Sequence, residues 1–317
     1  MNGQTVRRHV LKSDTARVTI LSLGCITQKW EVRKDGVFQP VTLGYDEPGH
    51  YLRSPSYLGA VVGRMAGRIG GASFDIDGEP WKLSANEGRN QLHGGPQGLS
   101  RQVWTMEADG HEAVRLHYVS PHLDQGYPGE LRLSVTIRLE GDWLTYEMEA
   151  QSDRPTPVSL AQHNYYSLTP GKTIDNHVLT LPASEVLPTR SDLTVTGEIV
   201  SVGGVGPDFR GGIAIAEADL MRKGIDLTYV LDQGAPIRLS GGGLELEMQT
   251  DQPCLQLYTG DLLKPMHGAD HKKRMGLCLE PQLFPDALNH PAFPVHLCTP
   301  DQPYRQVLRV RISETAT

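Results

Sequence analysis

The chain has 317 residues, with 30 basic against 37 acidic side chains and a net charge of -7. It carries no basic stripe able to track phosphates, so nucleic acid is excluded as an expected partner. No apolar stretch is long enough to span a bilayer, and the N-terminal MNGQTVRRHVLKSD lacks the apolar core of a signal peptide. The expectation is a soluble cytoplasmic protein with no membrane partner, monomer or homodimer.

Length alone permits two average domains or one large all-β domain, and the scattered turn residues favour the latter, over residues 1–317. There are 34 glycines and 22 prolines, spread rather than repeated, which predicts many turns and hence many short strands. Cys25, Cys254, Cys278 and Cys298 stand far apart with no C-x-x-C pair, so reduced core thiols are expected rather than zinc or redox chemistry.

In chain order, Ala16 to Leu21 has strand composition, and Gly24 to Trp30 is a candidate second strand of a meander. Residues 45–57 read as loop. Phe74 and Ile76 alternate ahead of an Asp77-Gly78 turn, which predicts a hairpin. The glycines at 63, 67, 70 and 71 lack the G-x-x-x-x-G-K-[ST] pattern of a phosphate loop, but they carry Arg64 and Arg68 on a backbone able to approach a ligand closely. His93 sits directly before Gly94-Gly95, on a tight loop.

Leu131, Leu133, Val135, Ile137 and Leu139 alternate with polar residues, and after Gly141-Asp142 the alternation resumes at Leu144, Tyr146, Met148 and Ala150. That is a long antiparallel hairpin with one buried face. Similar alternation recurs at Leu244, Leu246 and Met248 and at Leu308, Val310 and Ile312, while helical periodicity is confined to short turns around Ile213 to Met221. His163 follows a strand-like segment with Tyr165 and Tyr166 beside it, and Asp226 stands at the entrance of the strand-like Thr228 to Leu231. His267 and His271 are separated by a glycine and flanked by basic residues with no third ligand, so they are expected to form a solvated loop rather than a metal site.

The most informative stretch is Gly276 to Pro294. Leu277, Cys278 and Leu279 form a short apolar run that delivers Glu280 to a loop rich in proline, and a carboxylate carried in beside apolar neighbours needs partners. Gln282, Asp286, Asn289 and His290 are near enough in sequence to provide them.

Seven segments, in order, carry a family resemblance: GRMAGRI (63–69), NQLHGG (90–95), GYPGEL (126–131), QHNYYSL (162–168), GIDLTYVL (224–231), YTG (258–260) and CLEPQLFPDALNHP (278–291). Together they resemble the aldose 1-epimerases, the galactose mutarotases, over nearly the whole chain. The resemblance implies a large antiparallel β-sandwich with few short helices, acting on a free monosaccharide without cofactor or metal. It implies Glu280 as catalytic base, His163 as catalytic acid and His93 as a second active-site histidine. Arg68 and Asp226 match sugar-binding positions, and Arg64 and Gln282 are added as expected binding residues. Reference pKa values of ~4.3 for Glu and ~6.5 for His then predict an ionised base and a partly protonated acid near neutral pH.

Three positions depart from the family pattern. Gly67 stands where asparagine is usual before the arginine, Ala161-Gln162 replaces a Thr-Asn pair, and Ser167 stands where asparagine is common. These changes are expected to remove polar groups from the pocket and leave Arg64 and Arg68 beside extra space, which points to a sugar other than galactose, one with an anionic group included. Two other readings compete. One is a noncatalytic sugar-binding protein of the same fold, which would not need an acid and a base; the other is a glycoside hydrolase built on Asp226 and Glu280, which would leave the histidines without a role.

Overall fold

The computed structural model describes residues 5–266 and 269–315. The hairpin of alternating residues forms as Leu131–Glu140 against Trp143–Ser152, in register from Leu131 opposite Ser152 to Glu140 opposite Trp143. Gly141 takes φ 59°, the left-handed conformation that a two-residue hairpin turn demands.

This hairpin supplies the third and fourth strands of a nine-stranded sheet. Thr105–Asp109 and Ala113–Ser120 extend it on one side; Tyr304–Glu314, Leu244–Thr250, Ile237–Gly241, Val178–Thr180 and Ile213–Ala214 extend it on the other. Every pairing is antiparallel. A four-stranded meander, Arg8–Lys12, Ala16–Leu21, Thr27–Lys34 and Val37–Pro40, forms a separate sheet near the N-terminus. The strand expected over Gly24 to Trp30 is the third of the meander, not the second, and starts at Thr27 because the chain turns at Gly24 and Cys25, both at positive φ.

The six-stranded sheet positions the site. Its order is Tyr165–Tyr166, Leu277–Gln282, Cys254–Tyr258, Asp226–Val230, Glu185–Leu187, Val200–Ser201. Leu277–Gln282 is buried throughout and runs past Glu280 to include Pro281. The proline is tolerated because Tyr165–Tyr166 pairs only with Cys278 and Leu277, so the missing N–H interrupts no ladder on that side. A shared apolar core joins the sheets, from Leu11, Val18 and Trp30 through Ile137 and Tyr146 to Leu279 and Ile312.

Two short helices occur among the described residues. Pro48–Arg53 falls inside the stretch 45–57 expected to be loop, where Pro48 pre-sets the first turn. Ile215–Ala218 forms where short turns were expected. Neither is long and apolar enough to cross a membrane. The four cysteines are free and buried. His267 lies outside the described residues, and His271 is partly buried rather than solvated, its Nε2 2.8 Å from the carbonyl oxygen of Gly44.

Candidate active site

One face of the six-stranded sheet floors a cleft of about 610 Å³. Period two places alternate residues of each strand on that face. Cross-strand register then aligns them: Glu280 lies opposite Gln256, which lies opposite Thr228, and Cys278 lies opposite Tyr258, which lies opposite Asp226. The walls come from loops and from the short strand Arg68–Ile69, with Tyr57, Gly67, Arg68, Glu87, His93, Leu193, Leu262 and Pro285 among their residues.

The structure brings five of the seven expected residues together: Glu280, His163, His93, Arg68 and Asp226 all line this cleft. His163 Nε2 is 3.5 Å from Glu280 Oε1, and the two side chains are 6% and 2% exposed. The His163 backbone is fixed on both sides, its N–H donating to Ala60 O (2.8 Å) and its carbonyl accepting from Gly59 N–H (2.9 Å). On the imidazole's other edge, Nδ1 is 3.6 Å from the Cys278 thiol.

His93 is held by a reciprocal pair of bonds. Its backbone N–H donates to Gly67 O (3.0 Å), and its Nδ1 accepts from the Gly67 N–H (3.2 Å). An acceptor Nδ1 fixes a neutral ring with its proton on Nε2, so His93 is a hydrogen-bond donor. Burial, the neighbouring His163 and the Arg68 charge all hold its pKa well below the ordinary histidine value.

Burial also displaces the two groups that face each other. It lowers His163 to about 4. It raises Glu280 well above the usual carboxylate range, aided by Asp226 and opposed by Arg68. Oε2 of Glu280 is buried and has no hydrogen-bond partner among the described residues. The expectation from reference values, an ionised base facing a partly protonated acid, is therefore corrected: desolvation favours one proton on the pair with both groups uncharged.

Arg68 grips Glu87 with both branches of its guanidinium, Nε to Oε2 at 2.6 Å and Nη2 to Oε1 at 3.0 Å, and lies 3.9 Å from Asp226 Oδ2. Asp226 in turn accepts from Gln256 Nε2 (2.5 Å). Burial raises the Asp226 pKa, with Arg68 acting against it.

Two expected binding residues are elsewhere. Arg64 is 2% exposed and donates to the carbonyl oxygens of Ser120, Pro121, Pro128 and Gly129 and to Ser120 Oγ. It staples loops together and does not reach the cleft. Gln282 shares a strand face with Glu280 but lies beneath the wall, its amide atoms 3.7 and 3.8 Å from where a Cβ on Gly67 would stand. Asp286 and Asn289, offered as partners for Glu280, instead hold the loop at 70–73, through Gly70 N–H and Ser73 O.

The departures from the family pattern also sort themselves. Gln162 points into the core, contacting Gly59 O (2.9 Å) and Asn164 Oδ1 (3.0 Å), and Ser167 lines a separate groove. Only Gly67 is on the cleft wall. Of the two arginines, Arg64 is absent from the cleft, while Arg68 lines it with Nε and Nη2 bonded to Glu87 and Nη1 3.9 Å from Asp226 Oδ2.

Among the described residues, His93, His163 and Glu280 form a trio whose potential metal-ligand atoms lie within 4.8 Å of one another. The trio fits a metal poorly. Ligation through His93 Nε2 would move that ring's proton to Nδ1, where it would face the Gly67 N–H head-on instead of accepting from it.

Comparison with known proteins decides the family. The sequence profile described as aldose 1-epimerase matches residues 7–311. The chain belongs to the aldose 1-epimerase family. It is 38% identical to the galactose mutarotase of Bos taurus, with 96% of this chain and 93% of the relative covered. It is 31% identical to the aldose 1-epimerase of Escherichia coli strain K12, with 94% and 92% covered. Among solved structures, the GalM/aldose epimerase homologue from C. elegans matches with a TM-score of 0.94 at 27% identity, covering 98% of this chain and 100% of that one. Galactose 1-epimerase from Lactobacillus acidophilus matches with a TM-score of 0.88 at 25% identity, covering 100% and 97%. The expected galactose-mutarotase-like β fold and the isomerase class are thereby established for this aldose epimerase.

Sequence reasoning missed Tyr57, Glu87 and Gln256 on the cleft. Gln256 had a signal: in CLQLY, Gln256 and Tyr258 alternate with Leu255 and Leu257, the pattern of a strand with one polar face. Tyr57 and Glu87 sit in irregular loops, where no period marks the inward side.

Proposed function

We propose that this aldose 1-epimerase interconverts the α and β anomers of a neutral aldose, with Glu280 and His163 exchanging one proton through the sugar. The observation that carries the reading is the buried His163–Glu280 pair, 3.5 Å apart on the cleft floor, with one carboxylate oxygen still without a donor.

When the sugar's C1 hydroxyl donates to Glu280, it supplies a hydrogen bond to the ionised form, and the pair's proton rests on His163. Glu280 then takes the C1 hydroxyl proton. The O–H electrons form the C1 carbonyl, the C1–O5 bond breaks, and O5 keeps that pair and receives the proton from His163. At the open-chain stage Glu280 is protonated and His163 neutral, the state that burial of both groups favours. Rotation about C1–C2 presents the other face, and the transfers run backwards.

His93, neutral with its donor on Nε2, supplies a fixed hydrogen bond to a sugar oxygen throughout. Arg68, Asp226 and Gln256 form a linked rail of donors and acceptors for ring hydroxyls. With Glu280 held uncharged by burial, Glu87 and Asp226 balance Arg68 and Lys264 on the cleft, so no surplus cation waits for an anionic sugar and a neutral one is favoured.

Polarimetry on freshly dissolved α-glucose, α-galactose and a uronic acid tests this, with wild type beside Glu280→Gln and His163→Asn. The expected result is faster approach to the same final rotation for the neutral sugars, loss of that acceleration in both variants, and slower catalysis on the uronate. A uronate preferred over both hexoses would sink the neutral-sugar assignment, and a fully active Glu280→Gln would sink the proton exchange.

A further inference from the structure

Tyr57 lines the cleft and packs against both histidines. Its ring centroid is 4.9 Å from that of His93, at 69° to its plane, and 5.8 Å from that of His163, at 31°. The two imidazoles are themselves edge to face at 5.3 Å. Tyr165 completes the surround of His163 at 5.1 Å. Tyr57 thus touches the two rings whose orientation the reaction depends on, yet it has no acid or base role there: among the described residues its hydroxyl meets only Asn86 Nδ2, at a long 3.4 Å.

Its backbone is unusual as well. Tyr57 adopts φ 53°, a left-handed conformation that bulky aromatic residues rarely occupy. Such conformers persist where the surroundings over-determine them, and they cluster at functional sites. Here the Tyr57 carbonyl accepts from Ala60 N–H (3.0 Å), and the next turn carries the Gly59 N–H and Ala60 carbonyl that hold the His163 backbone. The strained residue and the histidine it packs against are therefore tied to one turn.

We propose that Tyr57 is a positioning residue for His163 and His93, its ring fixing the two imidazoles at the cleft wall and keeping water from them. The inference rests on the reading of His163 as the acid. The groups facing His163 are Glu280, His93, the Cys278 thiol, Tyr57 and Tyr165, with Arg68 acting on His93 from behind. Of these, Tyr57 is a loop residue only partly buried, so its removal admits water to the pair with little disturbance of the sheet.

The test compares Tyr57→Phe, Tyr57→Gly and Tyr57→Asn with wild type and with His163→Asn, following kcat and KM by polarimetry across pH and the His163 ring by NMR titration. Glycine and asparagine both accept a left-handed backbone, so these variants lose the ring while keeping the turn, and thermal unfolding verifies that they fold. Phenylalanine should retain most of kcat. Glycine and asparagine should lower kcat roughly tenfold or more, because misplaced reacting groups are costly. Their acid limb and the His163 titration should move from about 4 towards the ordinary histidine value.

Wild-type kcat and pH profile in folded Tyr57→Gly and Tyr57→Asn would overturn the proposal. So would a loss in Tyr57→Phe equal to that in glycine, which would assign the effect to the hydroxyl. An active His163→Asn would instead remove the acid assignment, so the two failures are distinguishable.

Discussion

Nε2 of His163 and Oε1 of Glu280 stand 3.5 Å apart with both side chains buried, so the two groups titrate as a unit and not as an independent acid and base. The active form of that unit holds one proton. A second proton arrives on the acid side, where burial has brought His163 down to about 4, and the last proton leaves on the alkaline side, where burial has pushed Glu280 up. The pH profile of kcat/KM should therefore be a broad bell whose acid limb falls near 4. An acid limb near ~6.5, the ordinary histidine value, would contradict a desolvated pair.

The same burial makes Glu280 a stability liability. In the unfolded chain its carboxyl ionises above about 4.5, whereas in the folded protein its pKa is raised, so the folded state binds the proton more tightly. The sign follows: stability from this group is fully present below about 4.5 and is lost as pH rises through the raised folded value. Gln has no such dependence. Glu280→Gln should abolish catalysis yet stabilise the protein by about 0.5–2 kcal/mol at pH ~8, with a smaller gain at pH ~5, as measured by denaturant unfolding. A gain that shrinks as pH rises would reverse the argument.

Arg64 and Arg68 should separate cleanly in a paired mutational experiment. Arg64→Met leaves four carbonyl acceptors without their donor, and the expected loss is about 3 kcal/mol or more of unfolding free energy. Arg68→Met instead leaves Glu87 and Asp226 uncompensated on the cleft wall, and the expected loss is about 100-fold in kcat/KM with a smaller change in stability. Equal effects on stability and rate for the two variants would show that the structural and sugar-facing roles are not divided between them.

Much of this fold was legible because its strands are amphipathic. The hairpin at Leu131 to Ser152 and the strand at Leu244 announce their buried faces by period two, and Leu277–Cys278–Leu279 announces a buried strand by its unbroken apolar run. His93, His163 and Glu280 were legible through family motifs. What local pattern could not convey was direction. Arg64 and Arg68 lie on one glycine-rich segment, yet one turns to backbone carbonyls and the other to the cleft, because the partners that decide it, Ser120, Pro128 and Glu87, are distant in sequence. Protonation was hidden for the same reason: reference values describe solvated groups, and only the assembled walls remove the solvent.

The cross-strand row of Thr228, Gln256 and Glu280 has a consequence for how the protein comes into being. Tyr165–Tyr166 pairs beside Leu277–Gln282, so the acid and the base reach each other only after most of the C-terminal half has been synthesised and folded between them. Contacts of such long sequence separation form late and slowly. The onset of mutarotation during refolding should therefore report the pairing of Tyr165–Tyr166 with Leu277–Gln282, the first and last strands of that sheet in chain order.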